Sequence, residues 1–350
     1  MPSRTDLDSG LLPEQDSNFI AFTQICAEKG ILGRPDGLGE DDCAHGLSDT
    51  ATLLRFLTAR QYNPNAAFDQ LQQAMKFRQE KQVLGLYDAI EISDFEQARQ
   101  FYPHWTGRRD KQGFPICMFD LAKLDKAGLA SWETTRISVG WSDAESGKPD
   151  MLQMASVFHD GFVRFVLPLC TMMTDRPNPS TAITSSVYLV DASSLGLKQG
   201  WSLKMFVQEI SWLLSTCYPE TITRVFVCNA PSYFTTIWKY LKTWVDPNTA
   251  EKVVVLTSAE VMSTLENHID SVNIPTALGG EHDFKHGMLP SLDDNLRAFF
   301  QWTSPEISLP PGPIKFSEEP NGTIRAIGVG SLEGMKRRDV IFFTRMSTIE

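Results

Sequence analysis

The chain is 350 residues long, 42% hydrophobic and 21% charged, and its 43 acidic against 32 basic side chains leave a formal net charge of -11. That is enough apolar material for a real core, and the acidic balance argues against nucleic acid as a partner. No run of 18 apolar residues occurs, and the opening MPSRTDLDSGLLPEQD lacks the basic and then apolar order of a secretory signal, so a cytoplasmic protein with peripheral, reversible membrane contact is expected.

Residues 1–17 read as a polar N-terminal tail. Over 18–29, Phe19, Ile20, Phe22, Ile25 and Cys26 recur with helical spacing, and Gly30 suits the end of that helix. A loop rich in Gly and Asp follows at 33–46. Residues 48–60, SDTATLLRFLTAR, turn Leu53, Leu54, Phe56 and Leu57 inward behind a Ser48 or Asp49 cap. Asn63-Pro64 opens another helix, striped by Ala67, Leu71, Ala74, Met75 and Phe77. The span 18–94 is therefore expected to be a small all-helical domain.

The pattern then changes. FYPHWTGRRD at 101–110 is a loop or short helix, Lys111-Gln112-Gly113 a turn, and 114–119 the first clear strand. Residues 151–166 are helical in pattern, and 187–190 form a buried strand ending at Asp191. A long helix at 201–218 points Leu203, Phe206, Val207, Ile210, Leu213 and Leu214 inward. The runs 224–228 and 252–256 are rich in Val with hardly a polar gap, as strands covered on both faces are. Between them, 232–245 places Phe234, Ile237, Trp238, Leu241, Trp244 and Val245 on one helical face before a stop at Asp246-Pro247. Helices alternating with strands predict an α/β domain over 95–285. Beyond it, 258–265 and 293–302 are helical in pattern, and the proline-rich 304–320 wraps the surface or links. The strand-like 323–329 and 340–344 make 286–350 a C-terminal extension with a β-hairpin.

The sequence contains no phosphate-cradling loop, dinucleotide fingerprint, nucleophile elbow or metalloprotease helix. Ser156, His159 and Asp160 lack a place for an oxyanion site, His282 and His286 belong to a glycine-flanked surface loop, and the six cysteines have no metal-ligand spacing. A non-enzyme without catalytic residues, metal or cofactor is expected. Glu220, after Pro219, closes the 201–218 helix, and Lys252 opens a buried strand. Such charges ordinarily act as solvated caps, but two of them with a hydroxyl nearby can hold a phosphorylated or polyhydroxylated headgroup.

Six landmarks occur in order: LLRFLTAR at 53–60 with Phe77-Arg78, DKQGFP at 110–115, Tyr218-Pro219-Glu220, Asn229-Ala230-Pro231, VDPNTAEK at 245–252, and Leu278-Gly279-Gly280. In this order the chain resembles the CRAL-TRIO lipid-binding family over 18–285, in particular the fungal phosphatidylinositol/phosphatidylcholine transfer proteins. The resemblance implies a mixed sheet with flanking helices enclosing an apolar pocket, gated by a mobile helix that falls on 235–245. It implies non-enzymatic transfer or presentation of a single phosphatidylinositol. The family's headgroup contacts fall on Arg60, Glu220, Thr249 and Lys252; pocket and gate fall on Ser186, Tyr188, Leu214, Phe234, Ile237, Trp238, Leu241 and Trp244. A salt bridge between Glu220 and a basic neighbour is the purely structural account of that pair.

The phosphatidylcholine half of the family pattern does not carry over. Thr106, Cys117 and His159 stand where the resembled proteins place pocket tyrosines, Tyr188 replaces a threonine, Leu214 a serine and Thr221 an arginine. A related branch holds haem through a tyrosine near the Tyr188 position, helped by a histidine two residues earlier, where this chain has Ser186. The other readings are a sterol, another phospholipid or haem on the same fold, or a membrane or protein interaction module. Expected partners are phosphatidylinositol or a related lipid, a membrane surface in transient contact, and a lipid kinase or other protein; a monomer is expected.

Overall fold

The computed structural model describes residues 12–134, 151–196 and 203–344. Its first part is helical: α1 (Pro13–Glu28), α2 (Thr50–Ala59), α3 (Pro64–Glu80), α4 (Val83–Ala89) and α5 (Ile92–Ala98). Helix α3 begins where Asn63 accepts the Ala66 N–H at 3.1 Å and Pro64 sits at the first turn, where its missing N–H is harmless. Its inward face carries Ala67, Phe68, Leu71, Ala74 and Phe77, together with one amide, Gln70.

A five-stranded sheet follows, in the order β1 (His104–Arg109), β2 (Pro115–Asp120), β3 (Ser186–Asp191), β4 (Ile222–Cys228) and β5 (Val253–Val255). β1 is antiparallel to β2 and the other neighbours are parallel. This is the mixed α/β sheet, preceded by a helical segment, that the sequence predicts. The strand expected at 114–119 is β2, but a strand precedes it: residues 101–110, expected as a loop or short helix, contain β1. A register shift between Trp105 and Arg109 breaks the alternation that reveals a strand. Gly107 is required there, since at φ 92 an added Cβ would lie 2.4 Å from the Ser291 backbone. That close approach comes from the later chain covering the β1 edge, with the Ser291 N–H donating to the Thr106 carbonyl at 2.9 Å.

The helical pattern at 151–166 resolves into α7 (Met151–Gly161) and a π-helical turn, Phe162–Val166, leading into α8 (Leu167–Met172); α6 (Lys126–Thr134) lies upstream. Helix α9 (Lys204–Cys217) precedes β4, and α10 (Phe234–Leu241) and α11 (Pro247–Glu251) join β4 to β5. Helix α10 is shorter than the sequence pattern suggests, so Trp244 sits in the turn beyond it.

Residues 304–320 are a second departure, because this proline-rich stretch contains a buried strand. With β6 (Gln301–Trp302), β7 (Ile314–Glu318), β8 (Ile324–Gly328) and β11 (Asp339–Phe343), the chain builds a second antiparallel sheet in the order β6-β11-β8-β7. Between β8 and β11 lies a small hairpin, β9 (Ser331–Leu332) and β10 (Met335–Lys336). Residues 41–43 cover the β7 edge, with the Cys43 N–H donating to the Phe316 carbonyl at 3.0 Å. Lys315, 1% exposed, places its Nζ 2.5 Å from Asp42 and 2.6 Å from Asp88. Arg325 and Arg338 each reach Asp41 at 2.7 Å. The C-terminal sheet is thus fastened to the helical segment by charge as well as by apolar packing.

His282 and His286 do not lie in a surface loop. His282 is buried against Phe284, and His286 places its two ring nitrogens near the Met118 and Gln100 carbonyls at 3.4 and 3.1 Å. His104 sits beside the Tyr102 carbonyl through Nδ1 and accepts the Gly287 N–H at Nε2, an arrangement suited to a neutral ring. Burial lowers the pKa of His45, His104, His159, His268, His282 and His286 in the folded protein. The unfolded chain takes up protons near pH ~6.5 while the folded chain resists them, so this contribution to stability is complete above that pH and falls away below it. The melting temperature should therefore drop steadily between pH 7.5 and 5.5; a flat profile in differential scanning calorimetry would contradict this.

Candidate functional site

A polar pocket of about 160 Å³ opens where the end of α2, the end of α9, the start of β4 and helix α11 converge. Arg60, Glu220, Thr249 and Lys252 all line it, with Gln70, Leu214 and Tyr218. Arg60 follows the last turn of α2, is exposed, and makes no ion pair among the described residues. Glu220 occupies the tight turn from α9 to β4 in the left-handed region (φ 55), a conformation that non-glycine residues adopt sparingly and mostly for a reason. Its carboxylate accepts from Lys252 Nζ at 2.8 Å, and the same ammonium donates to the Ile222 carbonyl at 2.8 Å. Thr249 is held in α11 by its N–H, which donates to the Asp246 cap at 3.1 Å. A second cavity of about 290 Å³, lined by Arg55, Thr58, Thr184, Ser185 and Thr223, also touches Glu220 and Lys252. The ion pair therefore stands between two polar hollows.

The turn that carries Glu220 is built by the helical segment. Gln70 Nε2 donates to the Ser215 carbonyl at 2.7 Å, satisfying one of the open carbonyls at the end of α9. Arg55 Nη1 donates to the Pro219 carbonyl at 3.1 Å. Arg78 grips the fully buried Asp160 through two bonds of 2.6 Å, and the Tyr218 hydroxyl donates to the same carboxylate at 2.7 Å. Burial alone would lower the Arg78 pKa, but Asp160, with Tyr218, more than offsets it and keeps the guanidinium charged. The landmark pairs Phe77-Arg78 and Tyr218-Pro219-Glu220 thus meet through Asp160. Sequence reasoning missed Gln70, Arg55 and the true role of Asp160. The signal available was a polar residue on the buried face of an otherwise apolar stripe.

Asp160 does not belong to a triad. Ser156 Oγ donates to the Leu152 carbonyl at 2.6 Å, and the His159 ring bonds the Ala155 carbonyl at 2.7 Å. Among the described residues no group of three or more His, Cys, Asp or Glu is placed to hold a metal.

The proposed gate residues lie against the core. Phe234, Ile237 and Leu241 of α10 are buried, Trp238 and Trp244 partly so, and they share one contiguous apolar cluster with Tyr188 and Leu214. Lys204 Nζ lies over the Trp244 ring at 5.5 Å, and Tyr240 meets that ring edge-on at 4.1 Å. Ser186 Oγ is turned to the Thr221 carbonyl at 2.9 Å, and burial, then Cys117, raises the Tyr188 phenol pKa. Two nearby hydroxyls are bonded internally: Thr106 Oγ1 donates to the Ile116 carbonyl and Thr221 Oγ1 to the Tyr218 carbonyl.

The sequence pattern of the CRAL/TRIO domain matches residues 100–280, and that of the CRAL/TRIO N-terminal domain matches 36–73. The chain belongs to the CRAL/TRIO domain family. Within it, the chain is 30% identical over 272 residues to phosphatidylinositol/phosphatidylcholine transfer protein SFH11 of Arabidopsis thaliana, covering 77% of this chain and 64% of that relative. It is 23% identical over 286 residues to the SEC14 cytosolic factor of Eremothecium gossypii, covering 78% of this chain and 87% of the other. A crystal structure of Sfh5 superposes with a TM-score of 0.51 at 12% identity, covering 72% of this chain and 83% of that one, which shows a shared fold. Among the described residues no helix of this CRAL/TRIO protein is long and apolar enough to cross a membrane.

Proposed function

We propose that this CRAL/TRIO protein binds one phosphatidylinositol and transfers or presents it without covalent chemistry. The observation that carries the proposal is the convergence of Arg60, Glu220, Thr249 and Lys252 on a single polar pocket that also touches the apolar Leu214. Arg60 and Lys252 oppose the charge of a phosphodiester, Thr249 offers a hydroxyl, and Glu220 holds the lysine in position and accepts from ring hydroxyls. General lipid binding is the function that the family supports. The preference for inositol over choline rests on the four pocket residues and on the internally bonded Thr106 and Thr221.

The acyl chains would lie beneath α10, which must lift to admit them. Lifting uncovers Phe234, Ile237 and Leu241, so the step is favoured where a bilayer receives that face, and the outward Lys239 and Lys242 suit anionic headgroups. Membrane contact would then be transient. Native mass spectrometry of the protein as isolated from cells tests the proposal. A one-to-one phosphatidylinositol adduct is expected, whereas a choline lipid alone, a sterol, an absorbing cofactor or an empty protein would overturn it.

A further inference from the structure

The lipid pocket leaves the β9–β10 hairpin unused. Leu332 pairs with Met335 and Ser331 with Lys336 across a turn, Glu333-Gly334, whose residues both have positive φ (52 and 78). This type I′ geometry matches the twist of the flanking strands. Leu332 is 58% and Met335 69% exposed, so the turn displays two large apolar side chains next to each other. Its base is firmly held. The Ser331 N–H donates to the Ile90 carbonyl at 2.8 Å, and its hydroxyl to the Ala89 carbonyl and to Glu91 Oε1, each at 2.8 Å. Glu91 Oε1 also receives the Gly334 N–H at 2.8 Å, so one carboxylate fixes both the entry and the turn. Arg337 donates its guanidinium to the Val329 carbonyl at 2.9 Å, and Lys336 is exposed beside Met335.

A braced tip of this kind keeps apolar side chains in water that a loose loop would fold away. Two side chains are too little surface for a stable protein partner or a second copy of the chain, since specific interfaces take about 800 Å² from each side. A bilayer demands no matching surface. Two apolar side chains can enter the boundary between headgroups and acyl chains while the neighbouring lysine reaches back to phosphate. We propose that the β9–β10 tip is a membrane-inserting wedge whose partner is a phospholipid bilayer, carried on the C-terminal sheet outside the matched residues 100–280. It does not depend on which lipid fills the pocket.

Co-sedimentation with protein-free vesicles, of phosphatidylcholine alone and of phosphatidylcholine with phosphatidylserine, tests this wedge. Replacing Leu332→Glu together with Met335→Glu should weaken partitioning about tenfold or more per side chain. The melting temperature and the bound lipid seen by native mass spectrometry should stay unchanged, because both side chains are exposed. Met335→Trp should partition at least as well as the parent, and the added fluorescence should shift to the blue and be quenched by brominated phosphatidylcholine. Undiminished partitioning of the double glutamate variant, or an unquenched tryptophan in vesicle-bound protein, would overturn the proposal.

Discussion

Protein carrying Lys252→Ala should be recovered without phosphatidylinositol. The substitution removes a cation that reaches both Glu220 and the Ile222 carbonyl and leaves Arg60 as the pocket's other cation. A hydrogen bond to a charged group is worth about 1.5–3 kcal/mol, so affinity for the lipid should fall by roughly ten- to a hundredfold. Thr249→Glu should do the same by a different route, placing a carboxylate where the phosphate would sit. The lysine and glutamate are each 25% exposed, so a purely structural bridge there is worth little, about 1 kcal/mol or less. The two accounts therefore separate cleanly: lipid lost with the melting temperature nearly unchanged supports headgroup binding, while lipid retained in both variants would refute it.

The largest stability effect is expected at Asp160. In Asp160→Ala the Arg78 guanidinium would remain buried without its carboxylate, and the Tyr218 hydroxyl would keep only the Ser156 carbonyl as acceptor. Breaking one side of a buried pair costs about 3–5 kcal/mol, which urea unfolding would reveal as a lower midpoint. Combining Arg78→Met with Asp160→Leu removes both charges and should restore much of that loss. If the double variant were as unstable as the single one, the pair's electrostatics would not be the cause. Because Tyr218 leads directly into Glu220, the single variant should also lose lipid; chemical denaturation and native mass spectrometry on one preparation would show both effects.

The sheet strands β3 to β5 and the apolar stripe of α3 were legible because valine runs and helical spacing survive in isolation. The strand β1 was not, since its bulge and Gly107 answer to a chain segment nearly two hundred residues later, a partner that no local pattern discloses. Nor was β7, where flanking prolines imitate a linker and burial is decided by Asp42 and Asp88. In the candidate site, Glu220 and Lys252 were visible as charges at the mouths of buried elements. Gln70 and Arg55, which brace the turn that carries Glu220, look like interruptions of apolar stripes. Their partners are carbonyls at the end of α9 and in the turn after it, and backbone acceptors leave no mark in a sequence.

The buried Lys315 bears on the order in which the chain can mature. Asp42, itself 1% exposed, meets its lysine only 273 positions further along. A chain emerging from its N-terminus would form α1 to α5 long before that cation exists, and would hold Asp42 hydrated in an open loop. The helical segment can reach its final form only once β7 has been made, so its consolidation comes well after its own synthesis.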